Sequence, residues 1–489
     1  MRTRNICVWL VVGLLVILIG TVAFAQGRGL GPDREVADLV LHNAKIYTMD
    51  ENNPVASSIA IKDDKILAVG HRNVTAKVTG PGTEIINLKK ATVIPGLIDS
   101  HLHHGLGGAE WREQNLFLPH GITSVQCVNK ETYENIQEWI NLYEDGTLKV
   151  RQNQAVHTDT AYKMGEPIIG LFNDRLSFRS TKVHSDHTLG ARYAQLIEPY
   201  SDYTVTEGDL EAYEEYHDYE EVGEPYYGPM GKESTWLEYY GYPDYTETMI
   251  DMIEMGFQPR THAIGDYSNY VVLNHYEEAM NYHGATGEEI RPVIEHSQIV
   301  TPEDQERYGE LGVIANIQAT HLTYDMLDLG FPGYGERWAE ERLGEERYAE
   351  RAYQWREFLE AGTIIAGSSD YPVYQHINPF HGLHASVTGQ TYGGQPLIYA
   401  TEYEAGYPDG GFQPNQYLTR EEALKSYTIW AAYTSFEEDI KGSLEPGKLA
   451  DLVVIDQDIM DPDEVADGDI WKTEVLKTIL GGEIVYEKE

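Results

Sequence analysis

The sequence predicts an α/β fold: a (β/α)8 barrel of the TIM type, joined to a small composite β-sandwich that both ends of the chain form. Two observations lead to this fold class. Between about Thr92 and Tyr433, apolar strand-like runs alternate with longer stretches of helical pattern, as they do in parallel βα units. At both chain ends, short alternating runs of strand type are separated by hairpin signals. A chain of 489 residues is long enough for the barrel and a smaller second unit.

The first 25 residues are interpreted as a signal peptide and are left out of the fold. Arg2 and Arg4 precede an apolar run, and Ala23-Phe24-Ala25 has the small-x-small pattern of a cleavage site after Ala25. The alternative is an uncleaved N-terminal membrane anchor, because the run approaches the roughly 20 residues that span a bilayer. Both interpretations predict an exported protein, periplasmic or secreted. No membrane span is expected once the leader is removed.

The β-sandwich is predicted from residues 36–91 and 442–489. The N-terminal part contains SIAIKDDKILAVG, in which Asp63-Asp64 marks a hairpin turn. The C-terminal part contains TILGGEIVYEK, in which Gly481-Gly482 suits a tight hairpin. The same alternation at both ends predicts that they pair, which leaves residues 92–441 for the barrel. A Tyr- and Glu-rich stretch from Tyr203 to Tyr245 is interpreted as an inserted surface loop or lid.

Charge and cysteine content restrict the class of protein. The formal net charge is −43, and such an acidic surface repels nucleic acid, so a nucleic-acid partner is excluded. Of the two cysteines, Cys7 lies in the leader, so the mature chain keeps only Cys127 and forms no internal disulfide. Cys127 sits in an apolar run that is typical of a buried core thiol. A small-molecule substrate is the expected partner. For the oligomeric state the sequence leaves two alternatives, a monomer and a homo-oligomer.

Several predicted strands end in residues that bind metals. The run VIPGLIDSHLHH ends in His101 and His103, which are two apart and therefore point the same way in a strand. His262 in THAIGD, His296 in VIEHSQ and Asp370 in AGSSDYP also follow strand-like runs. Each alone fits a core histidine or a helix-capping aspartate. Because barrel strands meet at one mouth, the set together predicts a zinc-type hydrolytic site.

These motifs, in this order, resemble the amidohydrolase superfamily. More narrowly they resemble amidohydrolase family 3, the branch that includes N-substituted formamide deformylase-like proteins. The resemblance rests on PGLIDSHLHH, KVHSDHTLGAR, THAIGD, RPVIEHSQ, AGSSDYPV and GSLEPGKLADLVVID, and it covers nearly everything after residue 36. It implies a (β/α)8 barrel with a composite β-sandwich and one or two divalent metal ions, usually zinc, at the barrel mouth.

The resemblance also implies roles for individual residues. His101 and His103 would hold the first metal together with Asp370, and His262 and His296 would hold the second. In many relatives a carboxylated lysine bridges the two metals, and Lys182 in TKVHSD stands at the corresponding strand end. A salt-bridged or surface lysine is the alternative interpretation for Lys182.

A hydrolytic mechanism assigns two catalytic residues. Asp370 would act as general base and then as general acid. His321 in QATHLTYD would hydrogen-bond the substrate carbonyl, and a buried structural histidine is the alternative. No role is predicted for three further histidines near strand ends, His104, His184 and His187.

Three functions are considered. The first is a hydrolase of non-peptide C–N bonds in amides, N-acyl compounds or cyclic amides. The second is an esterase or an N-acyl amino acid deacylase on the same fold. The third is a non-catalytic binding or scaffold protein, which would be expected to have lost ligand positions, whereas none is missing here. The sequence departs from the family in having only residues 104–120 between the His-x-His motif and the next strand, and in the Tyr-rich insert.

Overall fold

The computed structural model describes residues 35–203, 245–325, 337–373, 377–392, 406 and 408–489. The predicted signal peptide, and with it Cys7, lies outside these residues, and so does the predicted insert apart from Tyr203 and Tyr245. Among the described helices, none combines the length and the apolar character that a bilayer span requires.

The strands are numbered along the chain. The N-terminal strands are β1 (Leu39–Tyr47), β2 (Val55–Lys62), β3 (Lys65–Gly70), β4 (Glu84–Asn87) and β5 (Thr92–Pro95). The central strands are β6 (Leu97–Leu102), β7 (Ile122–Glu131), β8 (Arg151–Val156), β9 (Ile168–Gly170), β10 (Leu176–His184), β11 (Gln258–Ala263), β12 (Val293–His296), β13 (Ile314–Ile317) and β14 (Ile365–Gly367). The C-terminal strands are β15 (Leu452–Ile455), β16 (Val475–Leu480) and β17 (Glu483–Glu487).

Helices connect most of the central strands. Within the described ranges the α-helices are Arg72–Thr75, Ala109–Arg112, Tyr133–Glu144, Thr158–Met164, Leu171–Asp174, Tyr245–Glu254, Asp266–His283, Gly287–Ile290, Pro302–Leu311, Ala319–Asp325, Trp338–Leu343, Glu345–Arg351, Trp355–Glu360, Pro379–Thr388, Arg420–Ser426 and Ile429–Thr434. A π-helix spans Glu113–Phe117, and 3-10 helices span Leu118–His120 and Asp467–Lys472.

The central strands form the predicted barrel. Within the described residues their order is β14-β13-β12-β11-β10-β8-β7-β6, all parallel, with β9 antiparallel on β10. The first and last strands also meet, because Ser100 Oγ donates to the Gly367 carbonyl (2.7 Å) and the Asp370 amide donates to the His101 carbonyl (2.9 Å). Strands β11, β12 and β13 are buried along their whole length, as expected for parallel strands that are covered on both faces. The fold prediction is confirmed.

The two chain ends pair with each other in a second sheet. Its order is β17-β16-β15-β5-β1-β2-β3, with β4 on β1, and the antiparallel pairing of β15 with β5 joins the two ends. Both predicted hairpins are present, at Asp63-Asp64 and at Gly481-Gly482. One apolar cluster contains residues from both ends, including Ile59 and Ile479, so this end sheet folds over a shared core.

The boundary between the two sheets differs from the predicted one. Strand β5 belongs to the end sheet, so the barrel begins at Leu97. The predicted start of the barrel at residue 92 is therefore wrong. The chain crosses at Gly96, where its amide donates to the Asp451 carbonyl (2.9 Å) and a Cβ would lie 2.1 Å from Thr123 Oγ1. Both strands beside this glycine are fully buried and the residues that flank it, Ile94-Pro95 and Leu97-Ile98, are apolar, so the sequence pattern does not reveal the change of sheet.

Candidate functional site

The predicted site residues come together at the carboxyl ends of the barrel strands. Parallel pairing places these ends at one mouth of a barrel, and the register sets His184 beside His262 and Ala263 beside His296. The contributing positions are His101 and His103 at the end of β6, Lys182 on β10, His262 on β11, His296 on β12, His321 in the helix after β13, and Asp370 after β14.

Three side chains meet at a single carboxylate oxygen. Nε2 of His101 and Nε2 of His103 each lie 3.3 Å from Oδ1 of Asp370, and the two Nε2 atoms lie 3.3 Å from each other. His296 joins this group, because ligand atoms of His101, His296 and Asp370 all lie within 4.8 Å of one another. Imidazole nitrogens and a carboxylate oxygen converging in this way form the donor set that Zn²⁺ prefers. These residues therefore fit a divalent metal ion.

His262 and Lys182 lie beside this cluster. The ring centroid of His262 is 4.3 Å from that of His296 and 4.9 Å from that of His184. Lys182 is fully buried, and within the described ranges its Nζ has no hydrogen-bond partner. Burial lowers the pKa of both His262 and His296, and the charge of Lys182 lowers it further. Burying an amine without a hydrogen-bond partner costs free energy. The surroundings of Nζ of Lys182 are therefore a place where a further group would bind.

The electrostatics of the site favour metal ligation. Burial lowers the pKa of His103, takes that of His321 to about 4, and holds those of His262 and His296 well below the ordinary value. Burial would raise the pKa of Asp370, but its contacts with the imidazoles outweigh this and hold it well below its ordinary range. At neutral pH these four imidazoles are therefore neutral and the Asp370 carboxylate is anionic, the forms that bind metals. Burial also lowers the pKa of Lys182 to about 8.

Two contacts that orient histidine rings of the cluster are not predicted by the sequence. Nδ1 of His101 lies 2.6 Å from Oε2 of Glu295, and Nδ1 of His296 lies 2.7 Å from Oε1 of Gln318. Each contact occupies Nδ1 and leaves Nε2 directed at the cluster, which is how outer groups orient metal-binding histidines. Glu295 stands next to His296 in the sequence, but nothing in the motif indicates that it pairs with a residue of the first barrel strand.

Two of the cluster residues have strained backbones. Asp370 has φ 57° and His296 has φ 79°, a region that non-glycine residues seldom occupy. Such conformations cost on the order of 1–3 kcal/mol each and persist where the surroundings enforce them. Here the buried carboxylate of Asp99 accepts hydrogen bonds from the Ser369 amide (3.1 Å) and hydroxyl (2.5 Å), directly before Asp370. The fold thus holds Asp370 in its place at an energetic cost.

His321 belongs to the cluster and His104 does not. Nε2 of His321 lies 3.5 Å from Oδ2 of Asp370, and its ring stacks on that of His296 at 5.8 Å. The buried ring of His104 instead contacts Phe117 and Trp139 edge to face. His321 is therefore placed to act on the same atoms as Asp370, whereas His104 packs in the hydrophobic interior.

The chain is similar in sequence to several known proteins. The sequence pattern of the amidohydrolase family matches residues 114–486, a range that starts after His101 and His103. The chain is 25% identical, over 572 aligned positions, to Protein LONG AFTER FAR-RED 3 of Arabidopsis thaliana, and the alignment covers 92% of each chain. It is 27% identical over 255 positions to the N-substituted formamide deformylase of Arthrobacter pascens, which covers 51% of this chain and 40% of the relative.

A solved structure has the same fold. An uncharacterized metal-dependent hydrolase from Pyrococcus horikoshii OT3 superposes with a TM-score of 0.66 at 19% sequence identity. The superposition covers 88% of this chain and 99% of that chain. At this identity the similarity concerns the fold, and the chemistry has to be argued from the side chains of this chain.

Proposed function

Because the chain belongs to the amidohydrolase family, we propose that it is a metal-dependent hydrolase of carbon–nitrogen bonds other than peptide bonds. One observation carries the proposal: the Nε2 atoms of His101 and His103 both lie 3.3 Å from Oδ1 of Asp370. Two imidazole nitrogens and a carboxylate oxygen that converge in a buried site need a shared partner, and a bound cation interacts favourably with all three. The partial identity to a formamide deformylase supports the choice of an amide-type bond.

The proposed metal ligands are side chains in the cluster around Oδ1 of Asp370. His101, His103 and Asp370 would hold one ion, His262 with His296 would hold a second, and Lys182 is a further proposed ligand. We propose zinc, because imidazole and carboxylate donors suit it. When bound, such an ion makes water a nucleophile near neutral pH and polarises a substrate carbonyl.

Asp370 is the proposed general base and acid. Its depressed pKa keeps the carboxylate ionised at neutral pH, so it can accept a proton from the attacking water. The water oxygen bonds to the acyl carbon, and the same proton passes from Asp370 to the leaving nitrogen as the C–N bond breaks. His321, 3.5 Å from Oδ2 of Asp370, would orient the substrate carbonyl and steady the carboxylate.

A carboxylated Lys182 is part of the proposal. Burial lowers the pKa of the amine to about 8, so a larger fraction than in an ordinary lysine is neutral near neutral pH and able to react with carbon dioxide. The N–C bond forms, a proton leaves the nitrogen, and the product is an anionic carbamate. An unmodified ammonium would repel a metal ion, whereas a carbamate oxygen is a ligand. The lack of a partner for Nζ within the described part of the chain supports this assignment.

Metal content per chain tests the proposal. We expect nearly two zinc equivalents in the wild type by elemental mass spectrometry, with a loss in both His101→Ala and Lys182→Ala. The control is His283→Ala, which removes a histidine whose Nε2 bonds the Ile250 carbonyl in another part of the fold. One equivalent that is insensitive to Lys182→Ala would indicate a mononuclear site. No bound metal after incubation with zinc would overturn the proposed function.

Activity on matched substrates tests the bond that is cleaved. We expect the zinc-loaded enzyme to hydrolyse simple N-acyl and cyclic amides faster than the corresponding esters. A preference for esters with no detectable amide cleavage would instead favour the esterase alternative.

A further inference from the structure

Asp186 is a buried carboxylate that the proposed mechanism does not use. It follows β10 in the motif KVHSDH, and three backbone amides donate to it. The Ile264 amide donates to Oδ1 (2.9 Å), and the Gly265 (2.8 Å) and Gln195 (3.0 Å) amides donate to Oδ2. The carboxylate thus joins the segments that follow β10 and β11.

The same carboxylate lies against His262. Oδ1 of Asp186 is 3.6 Å from Nε2 of His262, and within the described residues this nitrogen has no hydrogen-bond partner. The distance is slightly longer than a hydrogen bond and too short for a bridging water, so a small rotation of the ring would form the bond. The ring of His262 also faces three other imidazoles, with centroids 4.3 Å away in His296, 4.9 Å in His184 and 6.1 Å in His187.

The position of Asp186 relative to His262 is rigidly fixed. At Gly265 a Cβ would lie 1.9 Å from the Gln195 carbonyl oxygen, so the two segments pack in direct backbone contact. Nδ2 of Asn269 donates to the Gly265 carbonyl (2.8 Å) and the Ile299 carbonyl (3.1 Å) and so holds this segment from its other side. With three amides bound to it, the carboxylate cannot rotate away from the ring.

We propose that Asp186 is a positioning residue that accepts the Nε2–H of His262 and leaves Nδ1 of that ring directed at the metal site. His101 and His296 do the reverse, because their outer partners Glu295 and Gln318 take Nδ1. A carboxylate fixes both the tautomer and the orientation of an imidazole ligand and increases its basicity. The inference rests on the proposed function, since His262 acts here as a ligand.

Zinc binding to the full chain tests the inference. We expect Asp186→Asn to weaken one of two zinc equivalents by about 10- to 100-fold in equilibrium dialysis, the usual cost of losing such a partner. The control is Glu113→Gln, which changes another buried carboxylate that accepts backbone amides, those of Lys149 and Val150, and that is no partner of a histidine. It should lower the melting temperature and leave the zinc affinity unchanged.

A double-mutant cycle separates positioning from a general effect on the fold. If Asp186 acts through His262, then Asp186→Asn adds no further loss of zinc affinity in a His262→Ala background. An equal loss with and without His262 would overturn the inference, and so would an unchanged affinity in the single variant. Either result leaves the proposed function standing, provided the wild type binds zinc.

A metal-free measurement makes the inference independent of zinc. In the full chain labelled with ¹⁵N-histidine, the signal that His262→Ala removes should report protonation at Nε2, and Asp186→Asn should change it. A ring protonated at Nδ1 in the wild type would overturn the inference. If the wild type binds no zinc, the proposed function fails, and this spectrum still decides whether Asp186 positions the ring.

Discussion

Glu295 lies between the His101 imidazole and the Arg260 guanidinium. Its Oε2 is 2.6 Å from Nδ1 of His101, while Nε of Arg260 donates to Oε1. Burial would raise the pKa of this carboxyl, but the charge of Arg260 and the hydrogen bond with His101 outweigh burial and hold the pKa well below its ordinary range. An ionised partner keeps the ring proton on Nδ1, so Nε2 of His101 is available as a ligand.

Glu295→Gln should therefore weaken metal binding. A neutral amide cannot hold the proton on Nδ1 as firmly, and we expect zinc affinity to fall by about 10- to 100-fold in equilibrium dialysis. The control is Glu113→Gln, a buried glutamate that accepts the amides of Lys149 and Val150 instead of a histidine. Equal zinc affinities in the two variants would contradict this role for Glu295.

Asp370→Asn should abolish turnover while the fold remains. The amide cannot accept the proton of the attacking water, and general acid–base catalysis alone contributes about 10²–10⁴-fold. We expect kcat to fall by at least about 10²-fold, with a near-UV circular dichroism spectrum like that of the wild type. Because Asp370 is also a proposed ligand, zinc content is measured in parallel. Residual kcat within a few-fold of wild type would refute the assignment.

His321→Gln should lower turnover without lowering the metal content. His321 contacts Asp370 through Oδ2, the oxygen not shared with His101 and His103. Removing its imidazole should leave the proposed ligands in place and lower kcat by about 10²–10³-fold, the usual loss when one hydrogen-bond donor to the reacting carbonyl oxygen is removed. The check is kcat together with zinc content on the same preparation. A loss of zinc would instead identify His321 as a ligand.

The sequence predicts those features that depend on local pattern. Alternating runs and glycine or aspartate turns give the hairpins at Asp63-Asp64 and Gly481-Gly482, and βα alternation gives the barrel. Once the barrel is predicted, residues at strand ends share one mouth. This reasoning brings His101 and Asp370 together although 269 positions separate them, and the contact at 3.3 Å agrees with it.

Features that depend on contacts across the fold were not predicted. Glu295 and Gln318 are polar residues inside buried strand regions, and no local pattern tells which histidine each one binds. The left-handed backbone conformation of Asp370 is not predicted from the sequence either, because serine and aspartate shortly before a proline also fit an ordinary turn. Even the sheet boundary at Gly96 depends on the close approach of Thr123 from another strand.

A buried ion pair connects the barrel with the end sheet. Nε and Nη2 of Arg151, at the start of β8, donate to the two carboxylate oxygens of Asp451 at 2.6 and 3.1 Å. The Gly481 amide also donates to Asp451 Oδ1 (2.8 Å). Both charges are almost completely buried. Removing one partner of such a pair leaves the other charge buried and uncompensated, which costs about 3–5 kcal/mol.

Asp451→Asn should therefore lower the free energy of unfolding by about 3–5 kcal/mol in urea denaturation at pH 7. The control is Glu422→Gln, which removes a partly exposed pair with Arg356 and should cost less than about 1 kcal/mol. Similar losses in the two variants would contradict a special role for the buried pair.

The stabilising effect of Asp451 should persist at mildly acidic pH. Burial raises the pKa of this carboxyl, but the charge and hydrogen bonds of Arg151 outweigh burial, so the folded pKa is lower than the ordinary value. A depressed folded pKa means that the stabilisation is complete above the unfolded pKa of about 3.9 and is lost as pH falls through the folded value. The difference in unfolding free energy between wild type and Asp451→Asn should thus be equal at pH 7 and pH 5 and shrink only below about pH 4. A difference that already shrinks between pH 7 and pH 6 would mean that a group other than Asp451 controls it.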